Sequence, residues 1–130
     1  MDIIARLGLR VPVIQAPMAG VATPALAAAV SNAGGLGSLG LAAMTPEQAA
    51  AAMAETRRLT ARSYGVNLFC HQPLRRDPAA EARWLDRLAP HFARFGAAPP
   101  AALADAYPST LESDALLDQV LAAAPALVTF

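Results

Sequence analysis

The feature that most constrains the fold of this chain is a helix start that occurs twice, each time after a short apolar run. Thr23-Pro24 and Thr45-Pro46 each combine a hydroxyl that can accept a bond from a free N–H with a proline that lacks one. An alanine-rich segment follows each pair, and the first segment runs into Gly34, which suits the left-handed position beyond a helix. The sequence therefore predicts one helix over about 24–33 and a second that begins at Pro46.

Four short apolar runs predict strands, at about residues 11–17, 36–41, 64–69 and 126–130. Strands that alternate with helices favour an α/β fold with a parallel sheet and right-handed crossovers. Two closed architectures fit this order of elements, a doubly wound sheet and a (β/α)8 barrel.

The stretch 71–112 is too long for a simple connection between a strand and a helix, and it predicts a helical insertion after the third strand. A helix is expected to begin at Asp77-Pro78, and Pro90 is expected to divide it into two pieces. Ser113 then caps a further helix, which leads to the fourth predicted strand.

Gly35, Gly37 and Gly40 form a G-x-G-x-x-G pattern, which is the spacing of a dinucleotide-binding loop. Such a loop follows a strand and opens a helix, whereas these glycines follow a helix and lie in or beside the second predicted strand. A glycine in a strand allows another backbone to approach closely. The pattern is therefore interpreted as close packing around this strand and not as a nucleotide site.

The charge balance argues against a nucleic-acid partner. All ten basic residues are arginine and ten acidic residues balance them, so the net charge is zero, whereas a nucleic-acid footprint requires a basic excess. No apolar run is long enough to span a bilayer, and the first residues do not form a signal-peptide pattern. We therefore expect a cytoplasmic protein that acts on a small molecule and has no membrane attachment.

Two predicted strands carry informative residues near their carboxyl ends, which is where parallel α/β folds bind their ligands. Asn67 lies within the third predicted strand, and a buried amide requires hydrogen-bond partners that a ligand would supply. The loop after the first predicted strand consists of Ala16, Pro17, Met18, Ala19 and Gly20.

Cys70 and His71 are adjacent, which invites a metal or nucleophile interpretation. Adjacent residues rarely chelate one ion well, and no second ligand pair occurs at metal-binding spacing, so no metal is expected. Cys70 is expected to be a packed thiol. As the single cysteine, it also excludes an internal disulfide.

Two stretches in combination resemble the amino-terminal part of the bacterial nitronate monooxygenases, formerly called 2-nitropropane dioxygenases. They are PVIQAPMAGVATPALAAAVSNAGGLGSLG and YGVNLFCHQP, and the resemblance continues through RWLDRLAPHFARFGAAPP to ALVTF. The resemblance implies a TIM-type (β/α)8 barrel with an inserted lid region and a noncovalently bound FMN. It also implies oxidation of alkyl nitronates, such as propionate 3-nitronate, by dioxygen to a carbonyl compound and nitrite.

The resemblance also implies which residues bind the cofactor. Met18 and its neighbours Ala16, Pro17, Ala19 and Gly20 are expected to lie against the flavin, and Asn67 is expected to hydrogen-bond it. The catalytic histidine of the family is expected beyond Phe130, so no catalytic residue is assigned in this chain.

The length of the chain predicts only the first half of such a barrel. A complete (β/α)8 barrel takes about 250 residues, and this chain has 130. A half-barrel exposes a sheet edge and apolar strand faces. The chain is therefore expected either to aggregate in isolation or to be an incomplete part of a longer protein. Homo-oligomerisation of the full-length protein is left open.

Two alternatives to a nitronate-oxidising enzyme are kept. The related FMN-dependent enoyl-acyl-carrier-protein reductases carry similar proline-methionine and Gly-Gly-Leu-Gly segments, and they would use a nicotinamide donor. The other alternative is a truncated chain without catalytic activity, which at most binds a flavin or associates with a complementary half.

Overall fold

The computed structural model describes residues 2–73, 75–104, 107–112 and 114–130. In chain order, the elements are α1 (Ile3–Leu7), α2 (Pro24–Ala33), β1 (Gly37–Gly40), α3 (Pro46–Leu59), β2 (Tyr64–Asn67), α4 (Pro78–Arg94), a 3₁₀ turn (Thr110–Glu112), α5 (Asp114–Ala123) and β3 (Leu127–Thr129). They belong to two compact units: Met1–Pro73 with Tyr107–Phe130, and Leu74–Ala106.

The two Thr-Pro helix starts are confirmed. Thr23 Oγ1 accepts from the N–H of Leu26 at 3.2 Å, and Thr45 Oγ1 accepts from the N–H of Gln48 at 3.3 Å. Gly34 ends α2 with φ at 104°, in the left-handed region that favours glycine. The helix α1 was not predicted, although Asp2 caps its first turn and Gly8 its last.

The first unit is an α/β structure with a three-stranded parallel sheet in the order β1-β2-β3. Leu39 of β1 pairs with Val66 of β2, and Val66 pairs with Val128 of β3. The strand residues Leu39, Tyr64 and Val66 pack into a core with α2, α3 and α5, contributed by Ala27, Ala49, Met53, Leu116 and Val120. We refer to this side of the sheet as the helix face.

The opposite face of the same strands carries mainly small and polar residues, with Leu127 as the exception. Alternate residues of a strand point to opposite sides, so this face consists of Ser38, Gly40, Gly65, Asn67, Leu127 and Thr129. We call it the open face. Apart from the half-buried Leu127, no residue on it has a large apolar side chain.

The predicted strand over 11–17 is wrong in extent. Only Ile14 pairs, in a single parallel bridge with Leu36 on the outer side of β1. Pro17 has no N–H with which to continue the ladder, so regular pairing stops. The observed strands β1, β2 and β3 lie within the other three predicted ranges.

The second unit is built around α4, which Asp77 caps by accepting from the N–H of Ala80 at 2.9 Å. Contrary to the prediction, α4 continues through Pro90 without a break. Pro90 has no N–H, so one backbone carbonyl in the preceding turn has no helical donor. No described residue of α4 is buried, so water can hydrogen-bond to that carbonyl. Arg76 ties the unit together through Glu81 (Nε to Oε1, 2.6 Å) and the carbonyl of Leu103 (2.7 Å).

The second unit is shorter than the predicted insertion over 71–112, because Tyr107 and the residues after it belong to the first unit. The predicted capping role of Ser113 falls outside the described residues. Within the described part of the chain, no helix combines the length and the apolar character needed to cross a membrane.

Candidate functional site

Asn67 is the polar residue at the carboxyl end of β2, and its amide group has a fixed orientation. Nδ2 lies 3.2 Å from the carbonyl oxygen of Thr129 and 3.0 Å from Thr129 Oγ1. A backbone carbonyl can only accept, so the amide nitrogen must be the atom that faces it. Asn67 Oδ1 is therefore left as an acceptor to which none of the described residues donates.

Thr129 holds this amide from the neighbouring strand. Its hydroxyl oxygen accepts from Asn67 Nδ2 and lies 3.4 Å from the carbonyl of Val66, to which it donates. Its backbone carbonyl also accepts from the N–H of Leu68 at 3.0 Å, as part of the sheet ladder. The direction of the free Asn67 acceptor thus depends on the pairing of β2 with β3.

The predicted loop Ala16–Gly20 forms a tight turn before α2. The carbonyl of Met18 accepts from the N–H groups of Val21 (3.2 Å) and Ala22 (2.8 Å). Gly20 has φ at 73°, a conformation that residues with a side chain rarely adopt. Met18 is 39% exposed, so an apolar and polarisable side chain is presented at the surface of this turn.

The loop and the amide are brought together through Gly40. A Cβ atom at Gly40 would lie 3.0 Å from Ala19 N and 3.2 Å from the carbonyl carbon of Met18, so the loop backbone rests directly against this residue. Gly40 is also the register partner of Asn67. The structure therefore places the loop and Asn67 on adjacent positions at the carboxyl edge of the sheet.

Gln15 is a residue of this region that the sequence analysis did not single out. Its Nε2 donates to the carbonyl of Ser38 at 3.1 Å, and its Oε1 accepts from the N–H of Ser38 at 3.0 Å. Nε2 also donates to the carbonyl of Ala16, the first residue of the loop. The feature of the sequence that could have indicated its role is a glutamine two residues before a proline, at the end of an apolar run.

His71 is held by backbone carbonyls and does not join a catalytic cluster. Nδ1 lies 3.0 Å from the carbonyl of Gln72 and Nε2 lies 3.1 Å from that of Tyr107. The carbonyl of Gln72, and to a smaller extent that of Tyr107, raises the pKa of the imidazole. Both ring nitrogens can donate at the same time only in the protonated form. Cys70 is exposed, contrary to the expected packed thiol. Among the described residues no three His, Cys, Asp or Glu side chains are grouped as metal ligands.

Two cavities of the first unit lie away from these residues. One, of about 310 Å³, is lined by α3, α5 and Tyr64, and the Arg57 guanidinium lies 4.9 Å from the Tyr64 ring centroid. Burial raises the pKa of the Tyr64 hydroxyl, and Arg57 opposes that rise. The other, of about 390 Å³, lies between α1 and the start of β3. Neither cavity is lined by Met18 or Asn67.

The residues at the carboxyl edge fit a flavin ring. The isoalloxazine ring is flat and largely apolar, and it carries one ring N–H between two carbonyl groups. Asn67 Oδ1 offers the acceptor that such an N–H requires, and Met18 offers an exposed apolar surface beside it. The neighbouring positions of the open face, Ser38, Gly40 and Gly65, carry no large side chain.

Comparison with known proteins finds relatives named as nitronate monooxygenases. The family model described as nitronate monooxygenase matches residues 2–99. A nitronate monooxygenase of Paraburkholderia phytofirmans is 55% identical over 124 residues, which are 95% of this chain and 34% of the relative. A nitronate monooxygenase of Pseudomonas aeruginosa is 54% identical, over 95% of this chain and 35% of the relative.

A solved structure is similar to most of the chain. The nitroalkane oxidase of Streptomyces ansochromogenes is 32% identical with a TM-score of 0.78, over 96% of this chain and 35% of that one. The chain thus spans about a third of the length of the relatives that it matches.

Proposed function

This chain belongs to the nitronate monooxygenase family, and on that premise we propose that it forms the amino-terminal part of an FMN-dependent enzyme. The proposed reaction is the oxidation of an alkyl nitronate, such as propionate 3-nitronate, by dioxygen to a carbonyl compound and nitrite. FMN would supply the electron-transfer chemistry. The residues of this chain would bind and orient the cofactor.

The observation that carries the proposal is the free acceptor of Asn67. Its amide group is fixed by two contacts with Thr129. Oδ1 can therefore accept from a ligand N–H without any reorientation of the side chain. FMN has such a donor on its ring. In the proposed site, Asn67 accepts from this N–H and so fixes the rotation of the ring in its own plane.

The loop Ala16–Gly20 supplies the second contact. In the proposed site the flavin ring lies along this loop, with Met18 and Pro17 against its apolar surface. The loop excludes water from one side of the ring, which strengthens the neighbouring hydrogen bond to Asn67. The loop and Asn67 carry no charge, so their role is to shape the site and orient the ring.

We also propose that the sheet is the first part of a (β/α)8 barrel. Three parallel strands carry α2, α3 and α5 on one face, and the bridge at Ile14 begins a fourth strand position beside β1. In such a barrel the helix face becomes the outer layer and the open face lines the interior. The site then lies at the carboxyl ends of the strands, where barrels place their catalytic loops.

The test is carried out on the intact protein, at the length that its source produces. We expect bound FMN, and nitrite released from propionate 3-nitronate in the presence of dioxygen. Asn67→Ala is expected to weaken FMN binding, and Asn32→Ala serves as the matched control. Asn32 also makes long-range amide contacts, with Thr60 and Leu59, but at the ends of α2 and α3.

The alternatives predict different results. NAD(P)H consumption with an enoyl thioester, and no nitrite from a nitronate, would replace the proposal with the enoyl reductase. FMN binding without turnover by the 130-residue polypeptide, with turnover restored by added carboxyl-terminal sequence, would assign to this chain a binding role alone.

A further inference from the structure

The pairing between the segment around Ile14 and β1 stops after one bridge, for a reason that can be stated atom by atom. The N–H of Leu36 donates to the carbonyl of Val13, and the N–H of Gln15 donates to the carbonyl of Leu36, both at 2.9 Å. In a parallel ladder, the next donors would be Ser38 N–H, toward Gln15, and the N–H of residue 17, toward Ser38. Residue 17 is a proline, so the second bond cannot form.

The side chain of Gln15 takes the place of that missing rung. Its Nε2 donates to the carbonyl of Ser38, as the absent N–H would have done, and its Oε1 accepts from the N–H of Ser38. The amide group therefore satisfies both backbone groups of Ser38. Without it, the Ser38 carbonyl and N–H would lose partners in a residue that is only 4% exposed.

The same amide also controls the start of the loop. Nε2 has two hydrogens, and the second is donated to the carbonyl of Ala16. This bond fixes the peptide plane that leads into Pro17 and Met18. At its far end the loop is fixed by the turn around the Met18 carbonyl, and in its middle it rests on Gly40.

We propose that Gln15 is a positioning residue for the flavin site. It does not touch the cofactor but sets the place of the loop Ala16–Gly20 relative to Asn67, through Ser38 and Ala16. This inference rests on the proposed function, because it takes the loop and Asn67 as the flavin contacts. Ser38 is two residues before Gly40, the register partner of Asn67, so the chain of contacts from Gln15 to the amide is short.

The experiment compares three variants of the intact protein. Gln15→Met keeps the side-chain length and removes all three hydrogen bonds. Gln15→Glu keeps the acceptor for Ser38 N–H but places a carboxylate beside two carbonyl oxygens. Asn32→Leu removes an amide of similar long-range bonding at the ends of α2 and α3, and controls for general loss of stability.

Two quantities are measured: the dissociation constant for FMN, from quenching of flavin fluorescence, and the hydrogen exchange of the Val21 and Ala22 amides. Gln15→Met is expected to weaken FMN binding about tenfold and to speed exchange of both amides by a similar factor. Gln15→Glu is expected to bind FMN at least as weakly, despite its size and polarity. Asn32→Leu is expected to lower the melting temperature with FMN affinity unchanged.

The possible results separate the two proposals. If the unaltered protein binds FMN and both Gln15 variants bind it with the same affinity, the positioning role is overturned and the proposed function stands. Equal loss of affinity in the Gln15 variants and in Asn32→Leu also overturns it, since a general loss of stability then explains the effect. No FMN binding by the unaltered protein overturns the proposed function and this inference together. If Gln15→Met does not fold, Gln15→Glu gives the same comparison.

Discussion

The two faces of the parallel sheet are made by the same short strands, yet they carry different kinds of side chain. The helix face carries Leu39, Tyr64 and Val66, each at most 1% exposed, in close contact with helices. The open face carries Ser38, Gly65 and Asn67 in the alternate positions. The difference indicates that one face supplies most of the folding free energy, while the other can hold polar groups such as the amide of Asn67.

The largest expected effect comes from a methyl group on the helix face. A Cβ atom at Gly37 would lie 1.8 Å from the backbone oxygen of Ala27, so Gly37→Ala forces β1 away from α2. We expect a loss of about 4 kcal/mol or more in unfolding free energy, measured by urea denaturation. The matched variant is Gly65→Ala on the open face, where the nearest atom is the side-chain oxygen of Ser38 at 3.1 Å. A loss of about 1 kcal/mol or less is expected there, and equal losses in both variants would contradict the contrast between the faces.

Truncation of a buried leucine is the next largest effect. Leu39→Ala removes a side chain that is 0% exposed in the helix-face core, and it is expected to cost about 2–5 kcal/mol by thermal or urea unfolding. FMN affinity, corrected for the unfolded fraction, is expected to stay unchanged. A specific loss of FMN affinity in the folded variant would show that the helix face also serves binding.

Asn67→Ala is expected to show the reverse pattern. Among the described residues, the amide bonds to Thr129 alone and leaves an acceptor for the ligand. Its removal is therefore expected to weaken FMN binding about tenfold. The melting temperature is expected to change little because Asn67 is only partly buried. Titration of the apoprotein with FMN tests the first point, and unchanged affinity would exclude Asn67 from the site.

Thr129→Val is a smaller and more specific change at the same place. It removes the hydroxyl that accepts from Asn67 Nδ2 but keeps the carbonyl that also does so. FMN affinity is therefore expected to fall by only about threefold. Thr129→Ser keeps the hydroxyl and is expected to restore the original affinity. A larger loss in the serine variant than in the valine variant would contradict the proposed orientation of the amide.

The smallest expected effect is a pH dependence at the edge of the first unit. The carbonyls of Gln72 and Tyr107 raise the pKa of His71, with a further contribution from Glu112. The stabilisation from these contacts is therefore fully present below the ordinary pKa of 6.5 and is lost as the pH rises through the raised value. The difference in unfolding free energy between the unaltered protein and His71→Gln is expected to shrink from about pH 5 to about pH 9. A constant difference across this range would exclude the protonated form as the cause.

Local chemistry explains which parts of the fold could be predicted from the sequence. The starts of α2, α3 and α4 depend on a cap and a proline within two residues, so they could be identified without tertiary information. The extent of the first strand could not, because its pairing depends on a rung that Pro17 cannot make and on which residue replaces it. The predicted break at Pro90 is wrong because α4 tolerates a proline where it is exposed to water, and the sequence does not display that exposure.

For the site, the sequence and its family resemblance identified the loop Ala16–Gly20 and Asn67 as candidates, and the structure brings them side by side through Gly40. Their contact with a flavin stays a prediction. The roles of Gln15 and Thr129 could not be predicted, because each depends on atoms more than twenty residues away in the sequence.

The replacement of a backbone rung by the side chain of Gln15 has an evolutionary consequence. Hydrogen bonds between backbone groups persist through most substitutions, whereas the bonds from Gln15 to Ser38 depend on the identity of one side chain. It also makes positions 15 and 17 epistatic. Any residue other than proline at position 17 restores the missing N–H for the Ser38 carbonyl, and Gln15 is then needed only for its bond to the Ala16 carbonyl. While Pro17 is present, a change of Gln15 removes both partners of Ser38 as well. Lineages that lose the glutamine are therefore expected to have lost the proline before it.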